Sequence, residues 1–259
     1  MNGLLKPRVK PMPSIAVLLK QVPDTNARIE FEGGRVALGN VKMVTSPYDE
    51  FALETALRHK EATGGSVTAI CVGGPGADKV LKDAKALGAD DLIRVWSEGW
   101  ASLDSRGLQT VLASVVRDLG ADVVYCGRSA ADTGAGSTGP GLAERLGWPS
   151  ASNVTSTEFA EDHLLVGVPT SDGTARTHVP IPAVISCDKG DLKVRKANVK
   201  SIMQAKRATI DVRSVEAPAS VVTIIQHSPP PAKPAGKSFE GGDAAVEVAR
   251  LLREEANII

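Results

Sequence analysis

Short apolar runs alternate with longer amphipathic segments between Ser14 and Leu146. The apolar runs predict buried strands at Ser14–Leu19, Ser66–Val72, Asp91–Val95 and Asp122–Cys126. The amphipathic segments predict helices, one from Pro47 to Gly64 with Ser46 as its N-cap and others at Ala77–Leu87, Leu103–Leu119 and Ser137–Leu146. Strands that alternate with helices of this length form βαβ units, so the pattern predicts an α/β fold on a doubly wound, mostly parallel sheet.

The pattern changes after Pro149, where several segments alternate apolar and polar residues as strands do. They lie at Asn153–Phe159, Leu164–Val168 and Thr174–Val179 and are followed by an apolar run at Ala183–Cys187. We expect these segments to form an antiparallel hairpin extension that flanks the parallel sheet. Gly33-Gly34 predicts a smaller hairpin near the start of the chain.

The last part of the chain is first basic, then proline-rich and finally amphipathic. Lys189–Arg213 is predicted to be irregular, Ser228–Lys237 to be a polyproline-like linker and Ala244–Ala256 to be a helix. The sequence therefore predicts an α/β domain over residues 14–225 and a linker with a C-terminal helix over residues 226–259. That helix either docks on another protein surface or folds back on its own domain.

Composition narrows the class of protein. Thirty basic and thirty acidic residues give zero net charge, which argues against a chain held to nucleic acid by its overall field. No apolar run approaches the roughly 20 residues of a membrane-spanning helix, and residues 1–13 lack the apolar core of a secretory signal. The three cysteines form no metal-binding or disulfide pattern, so we expect a soluble, cytoplasmic protein without a metal site.

The strongest chemical signal is the glycine- and hydroxyl-rich segment Gly127–Pro140, which links a predicted strand to a predicted helix. Doubly wound sheets bind ligands beyond the carboxyl ends of their strands. Glycines there let backbone amides approach an anion, and the start of a helix favours negative charge. The segment matches neither the Walker loop nor GxGxxG, but it predicts a site for a nucleotide phosphate, together with Leu18–Gln21 and Val72–Gly76.

No catalytic constellation accompanies this segment. The four histidines, at 59, 163, 178 and 227, are predicted to lie on a surface helix, around a hairpin and in the linker. Cys71 and Cys126 have the pattern of buried packing residues, and Asp132 suits either a ribose hydroxyl or a turn. A nucleotide pocket without a general base or a metal cluster fits a carrier subunit better than a hydrolase.

Several motifs, in order along the chain, resemble the beta (small) subunit of electron transfer flavoproteins. They are the strand exit Lys20-Gln21-Val22-Pro23-Asp24, the helix start Ser46-Pro47-Tyr48-Asp49-Glu50-Phe51-Ala52-Leu53-Glu54, the stretch Ala84–Asp90, the loop Gly127–Gly139 and the segment Ile202-Met203-Gln204-Ala205-Lys206. The resemblance runs from about Ser14 to Ile259 and implies a fold of the adenine-nucleotide α-hydrolase-like class.

The resemblance implies an electron carrier that forms a heterodimer with a larger alpha subunit, on which the C-terminal helix docks. FAD lies mainly on the alpha subunit, and the beta subunit supplies one wall of its site. Ordinary members also bind one structural AMP. By position, the AMP contacts carry over to Leu18, Ser46, Pro47, Tyr48, Val72, Gly127, Arg128, Ser129, Ala130, Ala131, Asp132, Thr133, Gly134, Ala135, Gly136, Ser137 and Thr138.

Two alternatives to AMP binding stay open. Electron-bifurcating members hold a second FAD in the same pocket, and their loop ends in Gly-Pro, as Gly139-Pro140 does here. Their Asp-Gly-Asp-Thr run is missing, however, and so are the acidic residues and the Asn-Gln-Thr-Gly end of the AMP-binding loop. A stand-alone ATP-binding protein of the related fold is the other alternative, although Leu19–Pro23 stands where such proteins carry Ser-Gly-Gly-x-Asp-Ser.

The resemblance also implies a role for the basic stretch. In the family, the segment before Ile-Met-x-Ala-Lys docks on a flavin-dependent dehydrogenase and inserts a leucine into an apolar pocket. Val199 takes that position here, and Lys200-Ser201 replaces Pro-Asn. The smaller anchor suggests a dehydrogenase partner other than an acyl-CoA dehydrogenase. The expected docking residues are Lys196, Val199, Lys200, Ile202 and Met203. A solvated basic turn is the alternative.

Overall fold

The computed structural model of the chain describes residues 12–97, 103–232 and 235–259. Most of the N-terminal segment on which the prediction of no secretory signal rests, and two residues of the proline-rich linker, lie outside the described residues. The strands are β1 Ser14–Leu19, β2 Gln21–Pro23, β3 Glu30–Glu32, β4 Arg35–Ala37, β5 Met43–Thr45, β6 Ser66–Val72, β7 Asp91–Val95, β8 Val123–Gly127, β9 Ser150–Val154, β10 Ser156–Phe159, β11 His163–Thr170, β12 Gly173–Pro180, β13 Ala183–Cys187 and β14 Asp211–Arg213. The α-helices are α1 Pro47–Thr63, α2 Asp78–Leu87, α3 Ser105–Leu119, α4 Thr138–Leu146, α5 Val199–Ala205 and α6 Ala245–Glu254.

A seven-stranded sheet forms the centre of the molecule, with the strand order β14-β7-β6-β1-β8-β13-β9. Every neighbouring pair in it is parallel, so the predicted doubly wound parallel sheet is confirmed. The order reverses at β1, because the chain moves to β6 and β7 on one side and later to β8 and β13 on the other. This reversal decides where a ligand can bind.

Both faces of the sheet are covered by helices. Along β1, Ile15, Val17 and Leu19 pack with α1 and α2, whereas Ala16 and Leu18 pack with α3 and α4. Because successive side chains of a strand point to opposite faces, a strand that is buried on both faces has a continuous apolar sequence. The apolar runs in the sequence have this origin.

The start of α1 differs from the prediction. Ser46 precedes the helix, but its side chain accepts no hydrogen bond from the first turn, and its Oγ is buried with no hydrogen-bond partner among the described residues. The amide of Asp49, which a capping side chain could accept, donates to the carbonyl of Ser46 instead, at 2.9 Å. The predicted capping role of Ser46 is therefore wrong.

The antiparallel extension exists, but its composition differs from the prediction. It is the three-stranded sheet β10-β11-β12. The predicted strand Asn153–Phe159 is instead split between two sheets, because Asn153 adopts a left-handed conformation, with φ of 57°, and the chain turns before β10. The strand at Ala183–Cys187 also belongs elsewhere, since it pairs in parallel with β8 in the central sheet.

The basic stretch Lys189–Arg213, predicted to be irregular, contains both a helix and a strand. The side chain of Asn198 accepts a hydrogen bond from the amide of Ser201 at 2.8 Å and so caps α5. The strand β14 adds to the edge of the central sheet beside β7. Both elements are short and mostly exposed, which explains why the apolar pattern does not reveal them.

Beyond β14, a segment that we call the arm (residues 214–232) runs along the surface. The amides of Val221 and Val222 donate to the carboxylate of Asp104 at 2.7 and 3.2 Å. The side chains of Val221, Val222, Ile224 and Ile225 are exposed. The last helix is α6, and none of its residues, all of which the structure describes, is buried. The boundary predicted between residues 225 and 226, which separates the α/β domain from the linker, stays a prediction.

His59 departs from its predicted place on a surface helix. It is 1% exposed, because α1 lies between the central sheet and the antiparallel extension. Its Nδ1 lies 3.0 Å from the Tyr125 hydroxyl, and its ring stacks on Phe159 with the centroids 4.6 Å apart. Burial lowers the pKa of His59 to about 4, and the charge of Asp122 only partly opposes this shift.

This pKa predicts a loss of stability in acid. Between pH 6.5 and 4 the unfolded chain binds a proton at His59 that the folded chain does not, so the free energy of unfolding falls as the pH is lowered. The loss amounts to about 2–3 kcal/mol. Replacement of His59 by Asn, which keeps an acceptor near the Tyr125 hydroxyl, should flatten this dependence in urea titrations at several pH values. His178→Asn, at an exposed histidine, is the control. If the free energy of unfolding of His59→Asn depends on pH as steeply as that of the wild type, the assignment is wrong.

Candidate functional site

A cleft opens beyond the carboxyl ends of β1 and β8, where the strand order reverses. The cavity itself has a volume of about 190 Å³, and the free space is about 920 Å³ when the open mouth is included. The exits of β1 and β6, the loop after β8 and the first half of α3 line it. This is the position at which doubly wound sheets bind ligands.

The carboxylate of Asp49, in the first turn of α1, joins the two strands below the cleft. Its Oδ2 accepts the amide of Lys20 at 2.7 Å, and its Oδ1 accepts the amide of Gly127 at 3.0 Å. The strands β1 and β8 stop pairing with each other before these residues, so the carboxylate replaces the missing strand-to-strand bonds. A Cβ on Gly127 would lie 2.4 Å from Oδ1, and only glycine fits there.

Asp49 is also buried, with 6% of its surface exposed. Burial raises its pKa to about 7, against the hydrogen bonds from the Lys20 and Gly127 amides, which favour the ionised form. A carboxyl group offers an acceptor oxygen to each amide in either protonation state. The connection between the two strands is therefore kept across neutral pH.

The loop after β8 forms the rim of the cleft. Gly134 and Gly136 adopt left-handed conformations, with φ of 61° and 63°, and the Gly134 amide closes a turn onto the Ala130 carbonyl at 2.8 Å. The end of the loop is tied to α3, since Gln109 donates to the Ser137 carbonyl at 2.9 Å. The loop therefore has a defined path into α4.

The structure brings most of the predicted site residues to the cleft. Its surface includes Leu18, Val72, Gly127, Arg128, Ser129, Ala130, Thr133, Ala135, Gly136 and Thr138. The predicted residues that lie in the same loop or at the start of α1 but do not line the cleft are Ser46, Pro47, Tyr48, Ala131, Asp132, Gly134 and Ser137.

Two of the residues outside the cleft surface still shape its edges. The guanidinium of Arg128 lies 4.4 Å above the ring of Tyr48 and donates to its hydroxyl at 2.7 Å. Asp132 forms an ion pair with Lys20 at 2.8 Å, which connects the loop to the exit of β1. The predicted loop residues therefore act partly through contacts with one another.

One wall of the cleft was not predicted from the sequence. Leu103, Asp104, Ser105, Leu108 and Leu112 line it from the start of α3. The order of the strands and helices along the chain could have predicted this wall. The helix between β7 and β8 passes over β6 and β1, and a crossover helix begins at the carboxyl edge of a parallel sheet.

Asp104 has a further connection at the mouth of the cleft. Its Oδ1 accepts the amide of Gly107 at 2.7 Å and caps α3, while its Oδ2 holds the two amides of the arm. These hydrogen bonds, from Gly107 first and then from Val221, lower the pKa of Asp104. The arm is thus attached beside the cleft.

The cleft combines an apolar floor with a polar rim. Leu18, Ile70, Val72, Leu108 and Leu112 can contact a flat ring, while loop amides, hydroxyls and the cations Lys20 and Arg128 can contact an anion. The described residues contain no cluster of three or more His, Cys, Asp or Glu side chains that could hold a metal ion. The arrangement suits a ligand with one apolar ring and one phosphate end.

The residues predicted to dock on a partner lie elsewhere. Val199, Ile202 and Met203 are 78%, 42% and 54% exposed, and their spacing places them on one side of α5. Lys196 and Lys200 are exposed beside them. Ala205, in the last turn of α5, is buried, and α5 packs against α2. The docking residues therefore form one patch, away from α3.

Comparisons with known proteins agree with this architecture. Residues 34–218 match the family described as the electron transfer flavoprotein domain. The chain is 30% identical to the electron transfer flavoprotein subunit beta of Bacillus subtilis (strain 168), over 95% of this chain and all of the relative. It is 34% identical to the subunit of the same name from Syntrophomonas wolfei, over 87% of this chain and 89% of the relative. The chain belongs to the electron transfer flavoprotein family.

Membership of the electron transfer flavoprotein family establishes a role in electron transfer. The chain is also 28% identical to the acryloyl-CoA reductase electron transfer subunit gamma of Anaerotignum propionicum, over 88% of this chain and 93% of the relative. Within the described parts of the chain, no helix is long and apolar enough to cross a membrane.

The contact between Gly127 and Asp49 predicts the effect of one added methyl group in this flavoprotein subunit. Gly127→Ala places a Cβ within 2.4 Å of the Asp49 carboxylate and 2.8 Å of its amide, so either the loop or α1 must shift. We expect a loss of about 1–3 kcal/mol in the free energy of unfolding. Gly39→Ala is the control, because nothing lies within 4 Å of its added Cβ. Equal stability of the two variants in chemical denaturation would contradict the proposed tight contact.

Proposed function

We propose that the chain is the beta subunit of a heterodimeric electron transfer flavoprotein. It would pair with an alpha subunit, accept electrons from a flavin-dependent dehydrogenase through that subunit's FAD, and pass them to a downstream acceptor. The chain itself would bind a structural AMP and form one wall of the FAD site. The observation that carries this proposal is the cleft at the strand reversal, in a chain that matches its family over most of its length.

The cleft supports AMP through complementary chemistry at its two ends. The adenine ring would lie on the apolar floor formed by Leu18, Val72 and Leu108. The phosphate would face the loop amides and the hydroxyl of Thr138, near the start of α4, whereas Ser137 lies outside the cleft lining. FAD, when bound in the heterodimer, supplies the redox chemistry, and no residue of this chain is assigned a catalytic role.

The nucleotide content of the purified heterodimer tests this assignment. One FAD and one AMP, released by denaturation and identified by mass spectrometry, are expected. Two FAD and no AMP would show the bifurcating arrangement, which Gly139-Pro140 at the end of the loop favours. Turnover of ATP by this chain alone would instead support the stand-alone ATP-binding protein.

A matched pair of loop variants tests the contact with AMP. Gly134 and Gly136 share the same left-handed conformation, but only Gly136 lines the cleft. Leucine at either position should therefore cost a similar backbone strain, whereas Gly136→Leu alone should fill the phosphate end and reduce bound AMP at least tenfold. FAD content should be unchanged in both variants. Full AMP occupancy in Gly136→Leu would show that the nucleotide does not contact this loop.

The exposed patch on α5 supports dehydrogenase docking. A valine that is 78% exposed has most of its side chain available for burial by a partner, and complete burial contributes roughly 1.5–2 kcal/mol. The cations Lys196 and Lys200 lie at the edge of the patch, where charges mainly affect the rate of association.

Replacement of Val199 by Ala should therefore weaken reduction of the heterodimer by its dehydrogenase about tenfold, because two buried methyl groups are lost. The measurement is the rate of dehydrogenase-driven flavin reduction at limiting concentration. Val212→Ala, at an exposed position of the edge strand β14, is the control for the general loss of an exposed valine. An unchanged rate in Val199→Ala would return α5 to the alternative of a solvated basic turn.

The charge at Lys196 provides a second measurement of the same interaction. Lys196→Glu should slow association at low ionic strength, and the effect should shrink in high salt, since the screening length falls to about 3 Å at 1 M. Bound FAD and AMP should not change in either variant, since α5 lies away from the cleft.

A further inference from the structure

The segment that leads into α5 lacks regular structure from Asp188 to Asn198. A segment of this kind opens readily unless it is attached to the rest of the protein. α5 packs against α2, and Ala205 near its far end is buried. Val199 lies in the first turn of α5, so its orientation also depends on what holds the residues before the helix.

Arg195 attaches this segment to α1. Its guanidinium donates to both oxygens of Glu54, at 2.8 and 3.2 Å, and to both oxygens of Glu61, at 2.6 and 3.2 Å. Its backbone amide also donates to Glu54, at 3.2 Å. The two carboxylates lie about two turns apart on one face of α1. We call Arg195, Glu54 and Glu61 the clamp.

The clamp closes on a buried charge. The side chain of Glu54 is 3% exposed. Burial alone would raise its pKa, but the hydrogen bonds from Arg195 and Arg58 keep that pKa below the usual value. A buried carboxylate needs such partners, and the planar fork of arginine can serve two carboxylates at once. A lysine offers no equivalent geometry.

We propose that Arg195 is a positioning residue for dehydrogenase docking, which holds α5 in the orientation that presents Val199. This inference rests on the docking role proposed above for α5. A segment that is ordered before the partner arrives loses less conformational freedom on binding. The clamp therefore acts on affinity for the dehydrogenase and leaves the electron-transfer step itself unchanged.

Arg58 offers a matched control. Its Nε donates to the same buried carboxylate of Glu54 at 2.8 Å from the next turn of α1, and no hydrogen bond among the described residues joins it to the segment before α5. Arg58→Met and Arg195→Met each remove one cation from Glu54. Only Arg195→Met also releases the segment, and Arg195→Lys retains the charge without the fork.

The experiment uses the purified heterodimer and, as its probe, the purified flavin dehydrogenase from the same cell that reduces the wild type fastest. Hydrogen exchange across residues 189–203 and the KM and kcat of reduction are measured for each variant. Arg195→Met should increase exchange in this segment and raise KM for the heterodimer roughly tenfold at constant kcat. Arg195→Lys should give exchange and KM values between those of Arg195→Met and the wild type. Arg58→Met should lower the stability of the protein without changing exchange in this segment or KM.

The outcomes separate this inference from the docking role on which it rests. Unchanged exchange in Arg195→Met, or an equal change in Arg58→Met, would overturn the clamp. Increased exchange with unchanged KM, while Val199→Ala raises KM, would overturn the positioning role and leave α5 as the docking site. If neither Val199→Ala nor Arg195→Met changes KM, the docking role of α5 is wrong, and the inference fails with it.

Discussion

The carboxylate of Asp49 solves a problem that every doubly wound sheet has at its centre. Where the strand order reverses, β1 and β8 separate, and their last amides lose the partners that a continuous sheet would give them. Asp49 accepts the amides of Lys20 and Gly127 from its place in the first turn of α1. The cleft can stay open because the backbone below it is satisfied, and the loop around it starts from a fixed point.

The same helix organises two other regions through buried polar side chains. Glu54 holds the segment that leads to α5, and His59 contacts Tyr125 of β8 and Phe159 of β10. The three side chains follow one another along α1, from the cleft toward the antiparallel extension. Buried polar groups must find partners, so α1 connects the cleft, the α5 patch and the sheet more specifically than apolar packing would.

Much of this architecture is readable from the sequence, because strands covered on both faces produce continuous apolar runs between amphipathic helices. The parallel sheet and the loop after β8 follow from that pattern. Other features depend on contacts between residues distant in the chain. The burial of His59 requires the antiparallel extension to lie over α1, and the role of Asp49 requires the amides of Lys20 and Gly127 to converge. Ser46 has the sequence pattern of an N-cap, but the Asp49 amide donates to the Ser46 carbonyl and not to the Ser46 hydroxyl.

The exposed side chains of the arm bear on the solubility of the isolated chain. Its residues Val221–Ile225 have the sequence Val-Val-Thr-Ile-Ile, and their four aliphatic side chains are between 59% and 93% exposed. An uncharged β-branched run without proline or glycine readily pairs with copies of itself, and Asp104 holds only its first two amides. The isolated chain therefore exposes an aggregation-prone segment, which burial against another surface would protect.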